Sequence, residues 1–280
     1  MARTAIVTGG AGGMGLATAR IMGRDHRVLL ADLDRGRLDA ASASLSAAGV
    51  DVATAVCDIT DGNSVANAFS RAADLGELRA VVHTAGVSPL MSDAGKIVRI
   101  NALGTVNVTE AALAAAIPGS ALVNVSSIAG HMVPTPLVPT RTFRHGLTEP
   151  ERLVSGLTRI SSLVPGTGGP GAAYSLSKAF VQWYSARMAA AFGERSARVL
   201  SVSPGSFDTE MGRLEEKSGS GELLTFAAIK RFGTPDEIAE LLAFCASEKP
   251  GYLTGTDILC DGGTRAGLTL AGMLSMARRR

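Results

Sequence analysis

Short apolar segments alternate with longer amphipathic segments along most of the chain. Several of the strand candidates are apolar nearly throughout, as in parallel strands covered on both faces. The candidates are Ala5–Thr8, Val28–Ala31, Ala53–Val56, Ala80–His83, Ala121–Val125, Val199–Val202 and Asp257–Leu259. The segments between them have the apolar spacing of helices, namely Met14–Gly23, Arg35–Ala48, Asn63–Ala73, Gly95–Ala116, Ala173–Phe192 and Pro235–Ser247. This alternation predicts an α/β fold with a doubly wound parallel sheet and helices on both faces.

Residues 130–171 interrupt this alternation. They contain six Pro, several Gly and one amphipathic helix candidate, Glu149–Val164. A long insertion of this kind inside a compact domain is usually functional or mobile. Because neither a repeat nor a shift in composition marks a second domain, we predict one domain over 1–280. It carries a substrate-loop insertion at about 130–171 and a lid-like segment at about 206–230.

Composition and charge exclude several classes of protein. The 280 residues are 46% apolar and include 33 Gly, a composition that favours a packed core. The net charge of +2 does not favour binding to nucleic acid or to an anionic membrane. No apolar run has the length of a membrane span, and the strand pattern that begins at Arg3 leaves no room for a signal peptide. Three scattered Cys are typical of a reducing compartment, and no grouped His, Cys, Asp or Glu predicts a metal site. We therefore expect a cytoplasmic protein without a metal.

A glycine-rich turn, Gly9-Gly10-Ala11-Gly12-Gly13-Met14-Gly15, joins the first strand to the first helix. Glycines at such a turn let the backbone bend sharply and approach a pyrophosphate, which the N–H groups of the helix N-terminus then face. A glycine-rich turn alone is a weak signal, but its place between a strand and a helix makes it much stronger. The turn predicts a dinucleotide site.

Asp32 ends the second strand candidate. A carboxylate there can accept hydrogen bonds from the ribose hydroxyls of the adenosine and repel a 2′-phosphate. The alternative is that Asp32 only caps the following helix. Arg35 and Arg37 are a counter-signal for NADP, although we expect both on the exposed face of the next helix. The pattern therefore favours NAD.

These motifs and those that follow them resemble the short-chain dehydrogenase/reductase family in its compact, single-domain branch. The resemblance extends to about residue 263 and implies a Rossmann-type, three-layer αβα sandwich. It rests on Thr8-Gly9-x-x-x-Gly13-x-Gly15, on Asn101 in a helix, on Ser127 after the fifth strand, on Tyr174-x-x-x-Lys178, on Pro204–Thr209 and on Asp261-Gly262-Gly263. Each motif alone can arise by chance, whereas the ordered set is highly specific.

The resemblance implies a set of cofactor contacts. Asp58 would hold the adenine amino group with Ile59 packed nearby, and Pro204–Thr209 would grip the nicotinamide carboxamide. His83-Thr84-Ala85-Gly86 occupies the place of the family's usual Asn-Asn-Ala-Gly, so the hydrogen bonds of that turn must differ. The full set of implied contacts is Gly9, Gly12, Gly13, Met14, Gly15, Asp32, Leu33, Asp58, Ile59, Thr84, Ala85, Gly86, Asn101, Tyr174, Lys178, Pro204, Gly205, Phe207, Thr209 and Met211.

Four residues are predicted to be catalytic. Tyr174 exchanges a proton with the substrate oxygen, and Lys178, one helical turn later, favours the phenolate and lowers the pKa of Tyr174 from its ordinary value of about 10. Ser127 donates to the substrate oxygen, and Ser126 is the alternative for this role. By the resemblance, Lys178 also bonds the nicotinamide ribose, and Asn101 binds a water behind Lys178.

The predicted function is NAD-dependent interconversion of a secondary alcohol and a ketone. We expect pocket walls from residues 87–93, 130–171 and 206–230, whose mainly apolar side chains include Val87, Leu137, Phe143 and Met211. Such a pocket fits a hydrophobic alcohol or ketone better than a highly charged substrate.

Two alternative functions stay open. The first is an NADPH-dependent ketoreductase, whose substrates could include carrier-bound acyl chains. A basic residue folded over Asp32 would favour this alternative. The second is a non-catalytic dinucleotide-binding protein.

The resemblance also implies a homo-oligomer, with a tetramer favoured, for which the apolar helices Gly95–Ala116 and Ala173–Phe192 would supply an interface. The segment Thr264–Leu270 is a candidate cover for a neighbouring subunit's pocket.

Overall fold

The sheet is parallel throughout and has the strand order β3-β2-β1-β4-β5-β6-β7. It is seen in a computed structural model that describes residues 2–217 and 220–268. The strands within those ranges are β1 Arg3–Thr8, β2 Arg27–Asp32, β3 Val52–Val56, β4 Glu77–His83, β5 Ala121–Val125, β6 Arg198–Pro204 and β7 Asp257–Cys260. All seven predicted strands are thus confirmed, as is the Rossmann-type fold.

Helices cover both faces of the sheet. They are α1 Gly13–Met22, α2 Arg35–Ala47, α3 Gly62–Leu75, α4 Ala94–Val98, α5 Gly104–Ala114, α6 Ile128–His131, α7 Thr140–Phe143, α8 Pro150–Ser161, α9 Gly169–Glu194, α10 Glu210–Lys217, α11 Pro235–Ala246 and α12 Thr264–Gly267. Short 3₁₀ turns lie at Thr135–Leu137, Arg144–Leu147, Gly166–Gly168 and Ser220–Thr225. Residues 218 and 219 of the predicted lid, residues 269–280 of the predicted domain, and the last two residues of Thr264–Leu270 lie outside the described residues.

Two apolar layers hold the sandwich together. One buries side chains of α1, α2 and α11 against the sheet, and the other buries those of α3, α5 and α9. Local signals agree with these packed elements. The capping box at the start of α11, in which the Thr234 hydroxyl accepts from the Glu237 N–H and the Glu237 carboxylate accepts from the Thr234 N–H, is one example.

The helix predicted over Gly95–Ala116 is present, but it is not α-helical throughout. The segment consists of α4, a π-helical turn at Arg99–Leu103, and α5. Such turns insert an extra residue into the helical ladder and are frequent at functional sites. The wide turn carries Asn101, whose side chain leaves the helix to bond the backbone of Val87.

The insertion is a packed helical unit on the outer face of α9. Helix α8 confirms the predicted amphipathic helix, and it buries Leu153, Val154 and Leu157. Phe143 is fully buried between Phe180 and Trp183, with a ring-centroid distance of 5.5 Å to Phe180. The apolar side of α8 and the outer side of α9 are complementary, so the insertion extends the core.

Candidate active site

A cavity of about 630 Å³ opens at the carboxyl ends of the strands, where the order reverses between β1 and β4. Ligands of doubly wound sheets bind at this kind of switch point. The residues predicted from sequence meet here, and the cavity is lined by Gly9, Gly12, Gly13, Met14, Gly15, Asp32, Leu33, Asp58, Ile59, Thr84, Ala85, Gly86, Ser127, Tyr174, Lys178, Pro204, Gly205, Phe207, Thr209 and Met211. Asn101 is the predicted site residue that does not line it.

The glycine turn forms a cradle that side chains would fill. Gly9 has a φ of +65°, and a Cβ there would lie 2.7 Å from the backbone nitrogen of Ala85. A Cβ on Gly15 would collide with the carbonyl oxygen of Gly9, and one on Gly13 would lie 3.1 Å from the methyl group of Thr209. The start of helix α1 is therefore left open to the cavity, which fits the pyrophosphate of a dinucleotide.

Asp32 is held in place at the end of β2. Its two carboxylate oxygens accept from the N–H groups of Ala11, at 3.1 Å, and Leu33, at 2.8 Å. The cap of helix α2 is Asp34, which accepts from the Arg37 N–H, so Asp32 does not have that role. Arg37 is exposed on α2 as predicted, and it also lines the cavity with Asp32 and pairs with Glu210.

Tyr174 and Lys178 lie on the same side of α9, with the Lys178 ammonium 5.9 Å from the centre of the Tyr174 ring. Lys178 is 7% exposed, and its ammonium donates to the Val125 carbonyl at 3.0 Å. A buried ammonium is costly unless it is hydrogen-bonded, and this bond at the end of β5 fixes it. The helix and the strand together hold a cation within one turn of the tyrosine.

Ser127 and Ser126 follow β5 and play different structural parts. The Ser126 hydroxyl is buried and donates to the Lys178 carbonyl at 2.8 Å. Both serines line the cavity, but the Ser127 hydroxyl accepts from the Ala129 N–H at 3.1 Å, which leaves its own proton to donate. The Ser127 carbonyl accepts from Gln182 of α9 at 3.3 Å. This geometry favours Ser127 over Ser126 as the residue that contacts a substrate.

Asn101 supports the site from behind. Its side chain accepts from the Val87 N–H at 2.9 Å and donates to the Val87 carbonyl at 3.0 Å. A Cβ on Gly86 would lie 3.1 Å from the Asn101 amide oxygen and 3.5 Å from the Lys178 ammonium. The side chains of Asn101 and Lys178 therefore converge on the backbone at Gly86.

His83 and Thr84 give the β4 turn its own hydrogen bonds. Thr84 donates to the Thr8 carbonyl at 2.8 Å. The His83 ring is buried between two hydroxyls, with Nδ1 2.6 Å from the Thr8 hydroxyl and Nε2 3.3 Å from that of Thr105. Burial lowers the pKa of His83 from 6.5 to about 3, and the Lys178 charge acts in the same direction. A neutral ring thus replaces the first Asn expected at this turn.

The cavity walls differ from the sequence prediction in two ways. Residues 130–171 do not line the cavity: Phe143 lies in the core, and Leu137 is 69% exposed. The lining also contains charged side chains that were not among the predicted site residues, namely Asp34, Glu210, Arg37, Lys96 and Arg99. Arg99 is neutralised by a bidentate pair with Glu151 at 3.0 and 2.6 Å.

Sequence reasoning missed several lining residues. Lys96, Arg99 and Ile100 lie on α4 and the π-helical turn, and Glu210 begins α10. The helical spacing of 96, 99 and 100 was a usable signal for a shared face. For Glu210 no local signal exists, because its partner lies 173 positions earlier in the chain.

The comparisons with known proteins agree with this geometry. A family model described as short chain dehydrogenase matches residues 3–139, and one described as enoyl-(acyl carrier protein) reductase matches 151–265. The short-chain dehydrogenase/reductase bsc3 of Alternaria brassicicola is 32% identical, with 96% of this chain and 98% of the relative covered. The chain belongs to the short-chain dehydrogenase/reductase family. It is therefore an oxidoreductase of a family that binds a nicotinamide dinucleotide.

Two further proteins are similar to this chain over most of their length. The cis-4-hydroxycyclohexanecarboxylate dehydrogenase of Sinomonas cyclohexanicum is 30% identical, with 94% of this chain and 97% of the relative covered. A short chain dehydrogenase from Burkholderia cenocepacia, solved in complex with NADP, has a TM-score of 0.74 at 24% identity, with 93% of this chain and 97% of that chain covered. At this identity the second likeness shows the fold alone.

Residues 2–217 and 220–268 contain neither a candidate metal site nor a candidate membrane span. No three His, Cys, Asp or Glu side chains there are grouped so that they could hold a metal ion. In the same ranges, no helix combines the length and the apolar character that a bilayer crossing needs.

Proposed function

We propose that this protein is an NAD-dependent oxidoreductase that interconverts an apolar secondary alcohol and its ketone. The observation that carries the proposal is the meeting of Ser127, Tyr174 and Lys178 in the cavity that the glycine cradle also borders. A bound nicotinamide would supply or accept the hydride. The side chains supply the proton and the hydrogen bonds that the substrate oxygen needs.

Tyr174 is the proposed acid for ketone reduction and base for alcohol oxidation. The fixed ammonium of Lys178 favours the phenolate of Tyr174 over the phenol. The phenol therefore gives up its proton more readily during reduction, and more phenolate is available as the base during oxidation. Ser127 orients the substrate oxygen with its free hydroxyl proton. We assign Asn101 a positioning role, because its side chain holds the backbone beside Lys178.

The charges at the proposed adenosine end of the cavity support NAD. Asp32, Asp34 and Glu210 line this end together with Arg37, so this end carries three carboxylates and one guanidinium. A 2′-phosphate would add about two negative charges to this group, which is unfavourable at short range. The ribose 2′-hydroxyl of NAD instead has the fixed Asp32 carboxylate as an acceptor.

The side chains of Val87, Met91, Ile100, Met211 and Leu214 support an apolar substrate. Lys96 adds a cation to the same lining, so a substrate with an apolar body and one carboxylate also suits the cavity. The name of the Sinomonas relative describes such a compound, a hydroxycyclohexanecarboxylate.

An NADPH-dependent ketoreductase is the second candidate, and the presence of Arg37 in the cavity favours it. A guanidinium beside the ribose can pair with a 2′-phosphate. The Arg37–Glu210 pair opposes this reading by neutralising the guanidinium. The non-catalytic alternative has less support, because it gives no reason for Ser127 and Tyr174 to share one cavity.

A homo-oligomer, with a tetramer favoured, and a cytoplasmic location stay predictions. Helix α8 covers part of α9 within the chain, burying Leu153 and Leu157 there. Self-association must therefore use surfaces other than the covered part of α9. Sedimentation velocity of the full chain measures the assembly directly.

The test of the proposed function measures the absorbance of reduced nicotinamide during incubation with NAD or NADP. The substrates are matched pairs of cyclic secondary alcohols with and without a carboxylate. We expect turnover with NAD in the wild type and its loss in Tyr174→Phe. Tyr252→Phe is the matched control, because Tyr252 is fully exposed and does not line the cavity.

The possible outcomes separate the candidates. Turnover with NADP alone would replace the proposal with the ketoreductase. Full turnover in Tyr174→Phe would refute the proton-transfer assignment. Absence of turnover together with tight NADH binding in both variants would favour the non-catalytic reading.

A further inference from the structure

One ion pair joins two elements that both border the cavity. Nη2 of Arg37, in the first turn of α2, lies 3.1 Å from Oε2 of Glu210, the first residue of α10. Both residues line the cavity, together with Asp32 and Thr209. Since Arg37 lies in α2, which directly follows Asp32 at the end of β2, the pair lies on the proposed adenosine side of the site.

The other carboxylates at this end have backbone partners. Both oxygens of Asp32 accept backbone N–H groups, and one oxygen of Asp34 accepts the Arg37 N–H. Glu210 differs from them because it contacts the guanidinium itself. The remaining cations among the described lining residues, Lys96, Arg99 and Lys178, belong to α4, the π-helical turn and α9. Arg37 is thus the guanidinium beside Asp32, and Glu210 decides whether it is available.

We propose that Glu210 is a cofactor-specificity residue, which pairs with Arg37 and so withholds the guanidinium from a 2′-phosphate. This rests on the proposed NAD dependence and adds a second determinant to Asp32. The Arg37 and Glu210 side chains are 50% and 75% exposed. Exposed pairs contribute little to folding stability, so the protein without Glu210 should stay folded. A phosphate pairs with a guanidinium through two charge-assisted hydrogen bonds, which an unpaired Arg37 can offer.

Direct binding of NADH and NADPH to the full chain tests this without any substrate. The fluorescence of each reduced nucleotide gives its Kd, and the quantity of interest is the ratio of the NADPH Kd to the NADH Kd. Glu210→Gln should lower this ratio about tenfold, since a gain of about 1.4 kcal/mol changes an equilibrium constant by a factor of ten. The double variant Arg37→Gln/Glu210→Gln should return the ratio to the wild-type value or above.

Glu240→Gln is the matched control. It removes the same charge from an exposed pair with Arg24 that does not line the cavity. An equal change of the ratio in Glu240→Gln and Glu210→Gln would overturn the proposal, as would a double variant that keeps the gain. If the wild type binds NADPH more tightly than NADH, the proposed NAD dependence is refuted but the role of Glu210 is not. The effect of Glu210→Gln on the ratio still tests that role.

Discussion

His83 should make the stability of this protein sensitive to mild acid. The ring ends the central strand β4 and is 1% exposed, between the hydroxyls of Thr8 and Thr105. Burial lowers the pKa of His83 from 6.5 to about 3. The folded protein therefore keeps the ring neutral at a pH at which the unfolded chain takes up a proton.

The sign and the size of the effect follow from proton linkage. Above pH 6.5 neither state binds a proton at His83, and its full contribution to stability is present. Between about pH 6.5 and 3 the unfolded state binds one proton more, so the free energy of unfolding falls by about 1.4 kcal/mol per pH unit. At about pH 5 the loss reaches about 2 kcal/mol. Any pKa of His83 below about 4 in the folded protein gives nearly the same loss of stability at about pH 5.

Urea unfolding at about pH 7.5 and about pH 5 measures this loss. His83→Gln removes the titrating group but keeps a donor and an acceptor between Thr8 and Thr105. The carboxylates are common to both proteins, so the difference between their pH dependences isolates His83. We expect the wild type to lose about 2 kcal/mol more than the variant. Parallel losses in the two proteins, within about 0.5 kcal/mol, would refute the claim that the buried ring is neutral.

Two further predictions concern the catalytic serine and the insertion. Ser127→Ala should lower kcat by a factor of about 10² to 10³, because a donor to the substrate oxygen is lost. Ser126→Ala should instead lower the free energy of unfolding by about 1 kcal/mol, because the hydrogen bond to the Lys178 carbonyl is lost. Steady-state kinetics and urea unfolding of both variants check this, and equal kinetic losses would contradict it. Phe143→Ala should cost about 3–5 kcal/mol because it empties a fully buried site, while Leu137→Ala at an exposed site should cost under about 0.5 kcal/mol. A small cost at Phe143 in urea unfolding would show that the insertion is not part of the core.

The strands were predictable because burial on both faces leaves a simple record in the sequence. Val28–Ala31 is apolar at every position, and the observed strand β2 extends it by one residue at each end. The glycine turn was predictable for a similar reason: only glycine fits where Gly9 and Gly15 meet neighbouring backbone. In both cases the cause lies within a few residues of the signal.

The features that escaped prediction depend on distant partners. The π-helical turn is linked to contacts of Asn101 with Val87, fourteen positions away. The Arg37–Glu210 pair spans 173 positions, and the bond between Thr8 and His83 spans 75. Each of these residues has an ordinary local context, so the helical pattern around Arg37 indicated only an exposed face.

The insertion shows how a correct local prediction can accompany a wrong placement. Its Pro and Gly content is typical of a loop over the pocket, yet the amphipathic spacing of α8 requires an apolar partner. That partner is the outer side of α9, where Phe180 and Trp183 receive Phe143. Helix α9 is thereby held between the sheet and the insertion, and the same helix carries Tyr174 and Lys178. The insertion therefore acts on the site by fixing the helix that holds the proton-transfer residues, and a substitution in it should disturb the site through the position of α9.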